Sequence, residues 1–315
     1  MSGPLAARGP VRVTAEVAAA LAARQPVVAL ESTLISHGLP YPRNLEVARA
    51  SEAAVRASGA VPATVAVGEG EVRVGLGPDD LERLATAPTG SVRKASRPSL
   101  AAAIADGGWA ATTVSATMIA AAAVGIRVFA TGGIGGVHRG ALGGARPTFD
   151  ISADLDELAR TPVAVVCAGP KAILDVPATL EYLETRGVPV VTIGAEELPA
   201  FYARSSGLRS PLSVPDVPAA ARLVTAHWGL GLSSGVLVCV PVPADDALPD
   251  DVARSAVERA VEDAERAGIH GPELTPWLLA RIATLTDGAS VAANIALIEH
   301  DARVAGELAA ALARA

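Results

Sequence analysis

The sequence predicts an α/β protein, a three-layer α/β/α sandwich around a mostly parallel mixed sheet, with a helical C-terminal layer. Three observations lead there. Short continuous apolar runs such as Pro26–Leu30 and Pro162–Cys167 read as strands covered on both faces. Segments with helical spacing alternate with them, and no internal repeat interrupts the order. The last third of the chain reads as helix after helix.

Taken in order, Val13–Arg24 has helical periodicity and Pro26–Leu30 is a buried strand that ends abruptly at Glu31. Asn44 is expected to cap a helix through Ala57 that stops at Gly59. Val61–Val67 and Glu71–Leu76 read as a strand pair across Gly68–Gly70, and Asp79–Thr86 as a short helix. Pro98–Ala105 looks helical, Thr112–Val124 helical or mixed, and Gly125–Ala130 a strand running into the glycine-rich Thr131–Gly136. Asp150–Arg160 is expected to be a helix with acidic first turns, followed by the strand Pro162–Cys167 and the turn Ala168–Lys171. Ala178–Arg186 and Ala219–Trp228 read as helices, Pro189–Ile193 and Gly235–Val242 as strands, and Leu198–Ser213 as a polar loop over a site. Asp250–Ala267, Thr275–Thr286 and Gly288–Ala313 complete the helical layer.

Half of the 315 residues are hydrophobic but only 3% are aromatic, so the core is built from Ala, Val, Leu and Ile. No linker rich in Gly, Ser or Pro divides the chain, which predicts one domain over 1–315 with 1–12 as a flexible extension. The formal net charge of -7, without a basic block, argues against a nucleic-acid partner. A small anionic substrate is still compatible, since a local pocket can be basic on an acidic protein. Met1–Arg12 lacks the apolar stretch of a signal peptide, and the apolar segment Trp109–Ala130 is broken by polar residues. A cytoplasmic protein without membrane contact is expected. Cys167 and Cys239 sit in apolar runs and read as buried, reduced residues rather than as zinc or redox ligands.

Ligands of open α/β sheets sit outside the carboxyl ends of the strands. Three strand ends here carry reactive groups. The first ends in Glu31, the second leads through the glycines to His138, Arg139 and Asp150, and the third leads to Lys171. Lys171 reads either as a solvated surface lysine or as an amine nucleophile able to form an imine with a sugar aldehyde. Glu31 reads as a hydrogen-bonded turn carboxylate or as a general acid. Asp150 reads as a helix cap or as a carboxylate holding a divalent ion with waters. Thr131–Gly136 departs from the dinucleotide fingerprint G-x-G-x-x-G, and its glycines are expected to let backbone amides approach a small anion or a sugar. Neither a P-loop nor metal-ligand spacing among His37, His138, His227, His270 and His300 is found, and His138 alone lies in the glycine loop.

These segments together resemble the pseudouridine-5'-phosphate glycosidases, also called the indigoidine-synthase-A-like family. The resemblance runs through Ala29–Asn44 (ALESTLISHGLPYPRN), Gly59–Thr64 (GAVPAT), Lys94–Arg97 (KASR), Ala111–Met118 (ATTVSATM), Val128–Gly140 (VFATGGIGGVHRG), Thr148–Leu155 (TFDISADL), Cys167–Lys171 (CAGPK) and Ala292–Leu297 (AANIAL). It implies Lys171 as covalent nucleophile, Glu31 as proton donor and Asp150 as ligand of a divalent metal, usually Mn2+. It also implies substrate contacts at Lys94, the backbone of Val114, Ser152, Ala153 and Asp154, with His138 and Asn294 in the same pocket. The implied reaction splits pseudouridine 5'-phosphate into uracil and ribose 5-phosphate, and the implied assembly is a homotrimer. Three departures stand out: Pro170 precedes the lysine where a small residue is expected, Pro98-Ser99 follows Arg97 where the family is often more charged, and the 141–147 loop is longer than usual. An imine-forming aldolase on another sugar phosphate, a non-catalytic sugar-phosphate binder and a role in pigment biosynthesis are the competing readings.

Overall fold

A mixed sheet of 11 strands forms the middle layer. The structure, a computed structural model, describes residues 9–143, 147–269 and 274–314. The strands of this sheet are β1 (Val11–Val13), β2 (Val27–Leu30), β3 (Val61–Gly68), β4 (Glu71–Val74), β5 (Arg93–Ala95), β6 (Ala110–Thr112), β7 (Val128–Ala130), β9 (Ala164–Cys167), β11 (Val190–Ile193), β12 (Leu212–Val214) and β13 (Val236–Cys239). Their order is β1-β4-β3-β2-β7-β9-β13-β11-β12, with β6 and then β5 hung on β3. All pairs are parallel except β3 with β4 and β3 with β6. A separate antiparallel ribbon joins β8 (Val137–His138) to β10 (Leu174–Asp175).

Both faces of the central strands are covered, which is why they read as unbroken apolar runs. Along β2, Val27 and Ala29 face one core while Val28 and Leu30 face the other. The first face is covered by α1 (Ala15–Ala22), α5 (Leu100–Ala105), α6 (Val114–Val124), α7 (Ala153–Leu158) and α8 (Val176–Thr185). The second is covered by α3 (Arg43–Ala57), α9 (Val217–Gly229) and α12 (Ala289–Arg314). α10 (Asp250–Ala267) and α11 (Leu274–Leu285) form the helical layer against the first half of α12. No helix among the described residues is long and apolar enough to cross a membrane.

Several local expectations need correction. Asn44 is not a cap. It lies buried inside α3, where its amide donates to Ile35 O at 2.7 Å and Ala85 O at 3.0 Å, tying α3 to α2 (Thr33–His37) and α4 (Pro78–Thr86). Asp150 does not cap α7 either, because the Ser152 hydroxyl does so by accepting from Asp154 N. Residues 11–12, expected in the extension, pair as β1 with β4, while 1–8 lie outside the described residues. The β3–β4 hairpin closes with Glu69 and Gly70 both at positive φ, the geometry of a tight two-residue turn. Cys167 and Cys239 are free, buried and side by side in register, as expected.

Candidate active site

β2, β7 and β9 are neighbours, so the three reactive strand ends converge at one place on the sheet edge. From β2 the chain crosses to β3 on one side, and from β7 it crosses to β9 on the other. Such a reversal opens a crevice at the carboxyl ends. Leu30 and Ala130 are register partners, so the next residues, Glu31 and Thr131, stand together. The Thr131 hydroxyl donates to Glu31 Oε1. Glu31 is only 8% exposed. Burial raises its carboxyl above the ordinary carboxylate range, and the Lys171 ammonium and the Thr131 hydrogen bond oppose that rise.

Lys171 is held by its own backbone. Ile134 N donates to Gly169 O at 3.2 Å and Lys171 N donates to Ile134 O at 3.1 Å, bracketing Pro170 in a parallel bridge. In that pattern the residue between the two bonds points its N–H away, so a proline there loses nothing and fixes φ just before the lysine. Lys171 is half-buried and lies close enough to Glu31 and Lys94 for their charges to act on one another.

Lys94 comes from β5, which pairs with β6 through Lys94 and Ala111. The residue as a whole is exposed, but protein atoms crowd its ammonium, and this burial lowers its pKa. The Lys171 charge lowers it further, while Glu31 and Asp154 favour the charged form. Asp154 is buried and accepts from Ser115 N at 3.0 Å and Gly135 N at 2.9 Å, one oxygen each. It thereby ties the start of α6 to the glycine turn. Val114, Ser152 and Ala153 occupy the two helix starts that this carboxylate joins. Behind them Arg97 pairs with the buried Glu157, which also accepts from Thr161.

His138 and Asp150 lie on the outer hairpin. His138 N donates to Asp150 O at 3.0 Å, and its Nδ1 is 3.9 Å from Asp150 Oδ2. The Asp150 side chain is 48% exposed and follows Phe149, a residue at φ +56°. Residues 144–146 of the longer loop, and His270, lie outside the described residues. Among the described residues no three His, Cys, Asp or Glu side chains converge. A solvated carboxylate beside one imidazole therefore fits a hard cation that keeps most of its waters, and does not fit a closed tetrahedral centre. Asn294 is half-buried on α12, one turn before Leu297 and Ile298, which pack on Gly132.

Three amides of the glycine turn are committed within the protein: Ile134 N, Gly135 N and Val137 N donate to Gly169, Asp154 and Thr179. A Cβ on Gly132 would lie 2.9 Å from Ile298, and one on Gly135 would lie 2.3 Å from Ser152 Oγ. These glycines permit close packing around the site, and of their amides Gly135 N is the one committed to a protein acceptor among the described residues. Two residues escaped the sequence reading. Thr131 was signalled by its place one step past a strand parallel to β2. His37, at the end of α2 beside Lys94, carried no spacing signal. A neighbouring cavity of about 430 Å³ touches Pro170 and Ala172 but neither Lys171 nor Glu31, and the charge cluster marks the other side of that turn as the site.

Nearly the whole chain resembles known proteins. The family profile described as "Indigoidine synthase A like protein" matches residues 16–311. A pseudouridine-5'-phosphate glycosidase of Solibacter usitatus is 56% identical over 299 residues, covering 95% of this chain and 98% of that protein. One from Caldanaerobacter subterraneus is 53% identical over 302 residues, covering 96% of each. Among solved structures, the prealnumycin C-glycosynthase AlnA in complex with ribulose 5-phosphate superposes with a TM-score of 0.88 at 39% identity, covering 96% of this chain and 97% of that one. An indigoidine synthase A-like protein of Thermotoga maritima superposes with a TM-score of 0.82 at 34% identity, covering 92% and 94%.

Proposed function

The chain belongs to the indigoidine-synthase-A-like family, and from that premise we propose that it is a pseudouridine-5'-phosphate glycosidase, reversibly cleaving the bond between ribose C1' and uracil C5. The observation that carries the reading is an amine, Lys171, in the charge field of a buried acid, Glu31. The scissile bond joins two carbons, so the leaving atom offers no lone pair to protonate, and a pair of carboxylates serves it poorly. An amine supplies another route. Glu31 gives its proton to the ring oxygen, and the sugar opens. The Lys171 amine adds at C1'. The nitrogen gives up a proton, the C1'–C5 bond breaks as the nitrogen lone pair forms the imine, and the electron pair of that bond goes to uracil C5, which takes the released proton. The ribose stays on Lys171 as an imine until water releases it.

Lys94 and the Val114 amide suit the phosphate as charge-assisted donors. Ser152, Ala153 and Asp154 frame the sugar, and His138 and Asn294 flank the pocket. Asp150 would hold Mn2+ with waters, and such an ion supplies Lewis acidity and orders water and pyrimidine oxygens. The names of the curated relatives support the glycosidase activity, and the AlnA complex supports a sugar-phosphate pocket. A homotrimer working in the cytoplasm completes the reading. A second reading, C-glycoside synthesis from a ketose phosphate, is favoured only by that complex.

The test is uracil release from pseudouridine 5'-phosphate with and without Mn2+, beside coupling assays with ribulose 5-phosphate. Uracil release that is lost in Lys171→Ala is expected. A Lys171→Ala variant turning over at the normal rate would contradict the covalent route.

A further inference from the structure

Glu31 has a back side that the reaction above does not use. A cavity of about 10 Å³ lies between the ends of β2 and β7, the middle of β3 and helices α2, α3 and α12. Its polar lining is Glu31, Ser51, Thr64 and Thr131, and its apolar walls include Leu34, Ala48 and Ile298. That volume holds one water, and four polar neighbours are enough to keep it. Thr64 is the register partner of Leu30, so it stands one strand away from the start of the Glu31 turn. The Thr64 hydroxyl donates to Glu52 Oε1 at 2.5 Å. Glu52 is half-buried on α3, and burial raises its carboxyl above the usual range while the Thr64 hydrogen bond opposes the rise. The charged groups around it are Arg56, Glu16 and Arg49. Arg56 pairs with Glu16 at 2.9 Å and Arg49 with Glu82 at 3.0 Å, so neither arginine is tied to Glu52.

We propose that a proton path runs from the surface through Glu52, Thr64 and a single buried water to Glu31, recharging the acid from behind. The proposal rests on the glycosidase reading, in which each turnover takes a proton from Glu31 while the bound sugar phosphate covers its front. The transfer is a chain of hops. The Thr64 hydroxyl first turns its hydrogen from Glu52 Oε1 to the water; the protonated Glu52 carboxyl then donates to Thr64 Oγ1, the Thr64 proton passes to the water, and a water proton passes to the Glu31 carboxylate. Glu52 then takes a proton from solvent. Neither Thr64 nor Glu52 touches substrate, and both act through Glu31.

The test compares Thr64→Val, Glu52→Gln, the double variant and the surface control Glu46→Gln. Each single variant is expected to lower kcat about tenfold or more while KM holds. The double variant is expected to be no slower than either single one, since residues of one chain do not add. Formic acid is expected to restore part of the lost rate in Glu52→Gln, and the solvent deuterium isotope effect on kcat is expected to rise. Single variants that match Glu46→Gln, or additive losses without isotope effect or rescue, would overturn the path. Infrared titration of the resting protein gives a second, activity-free readout. Lys94, Lys171 and Asp154 act on Glu31, and Glu16, Arg49 and Arg56 act on Glu52. The Glu31 and Glu52 carbonyl bands are expected to titrate as a coupled pair that Thr64→Val uncouples. If wild type releases no uracil, the glycosidase reading fails, while uncoupled wild-type bands overturn the path alone.

Discussion

Glu31 and Asp150 both lie at the carboxyl edge of the sheet, and the fold treats them in opposite ways. Glu31 is 8% exposed, bonded to Thr131 and packed beside the tie that Asp154 makes between two amides. The Asp150 side chain is 48% exposed on a hairpin whose next residue back, Phe149, sits at positive φ and is itself 76% exposed. The contrast teaches that half of this site is set by the core before anything binds. The other half is left to solvent. Acid and amine need fixed geometry to react, and a hydrated cation needs room for its waters.

Four substitutions probe that contrast. Glu31→Gln is expected to cost the most activity, about 10² to 10⁴ in kcat, with an unchanged unfolding midpoint, which steady-state kinetics and urea titration will read. Asp154→Ala should damage both activity and fold. It leaves the buried Ser115 amide without an acceptor, at about 1–3 kcal/mol, and frees the half-buried Gly135 amide as well, so a urea midpoint equal to wild type would break the view of Asp154 as a structural tie. Asp150→Asn should do the reverse. The Mn2+ concentration needed for half-maximal uracil release is expected to rise about tenfold to hundredfold, with stability within about 0.5 kcal/mol of wild type.

The smallest effect concerns a fourth carboxylate. Asp301 is fully buried on α12, and neither of its oxygens has a hydrogen-bond partner among the described residues. The nearby Ala168 amide is committed to Gly132 O at 3.0 Å. Burial holds the Asp301 carboxyl well above the ordinary range, with the neighbouring Cys167 adding to the rise. A raised folded-state value means that stability is greatest below the unfolded value of about 3.9 and declines as pH rises through the folded one. Asp301 is therefore expected to contribute less stability at pH 8 than at pH 4. Asp301→Asn should flatten that slope by about 1–3 kcal/mol, measured as urea midpoints at the two pH values. An equal slope in the variant would show that Asp301 is not its source.

Much of the architecture was legible because burial writes itself into local pattern. β2, β9 and β13 are covered on both faces and read as apolar runs, and the boundaries of α10 follow directly from its periodicity and its acidic start. β5 was missed because Arg93 and Lys94 are exposed polar residues whose pairing with β6 is set by tertiary contacts. α2 was missed because five residues carry too little period to detect. Asn44 was misplaced for a related reason: its side chain bonds to Ile35 and Ala85, partners that only the fold brings near. At the site, position alone brought Glu31 and Lys171 forward, each past a buried strand, but left their roles open. The roles of Asp154 and of the glycines were not legible, because what they touch lies on other elements.

The most direct test of the account is reductive trapping. The protein incubated with ribose 5-phosphate is treated with borohydride and mapped by peptide mass. A ribose 5-phosphate adduct on the peptide containing Lys171, absent from Lys171→Ala, is the predicted result. An unmodified Lys171, in a protein that still releases uracil from pseudouridine 5'-phosphate, would contradict the imine and return the chemistry to Glu31 alone.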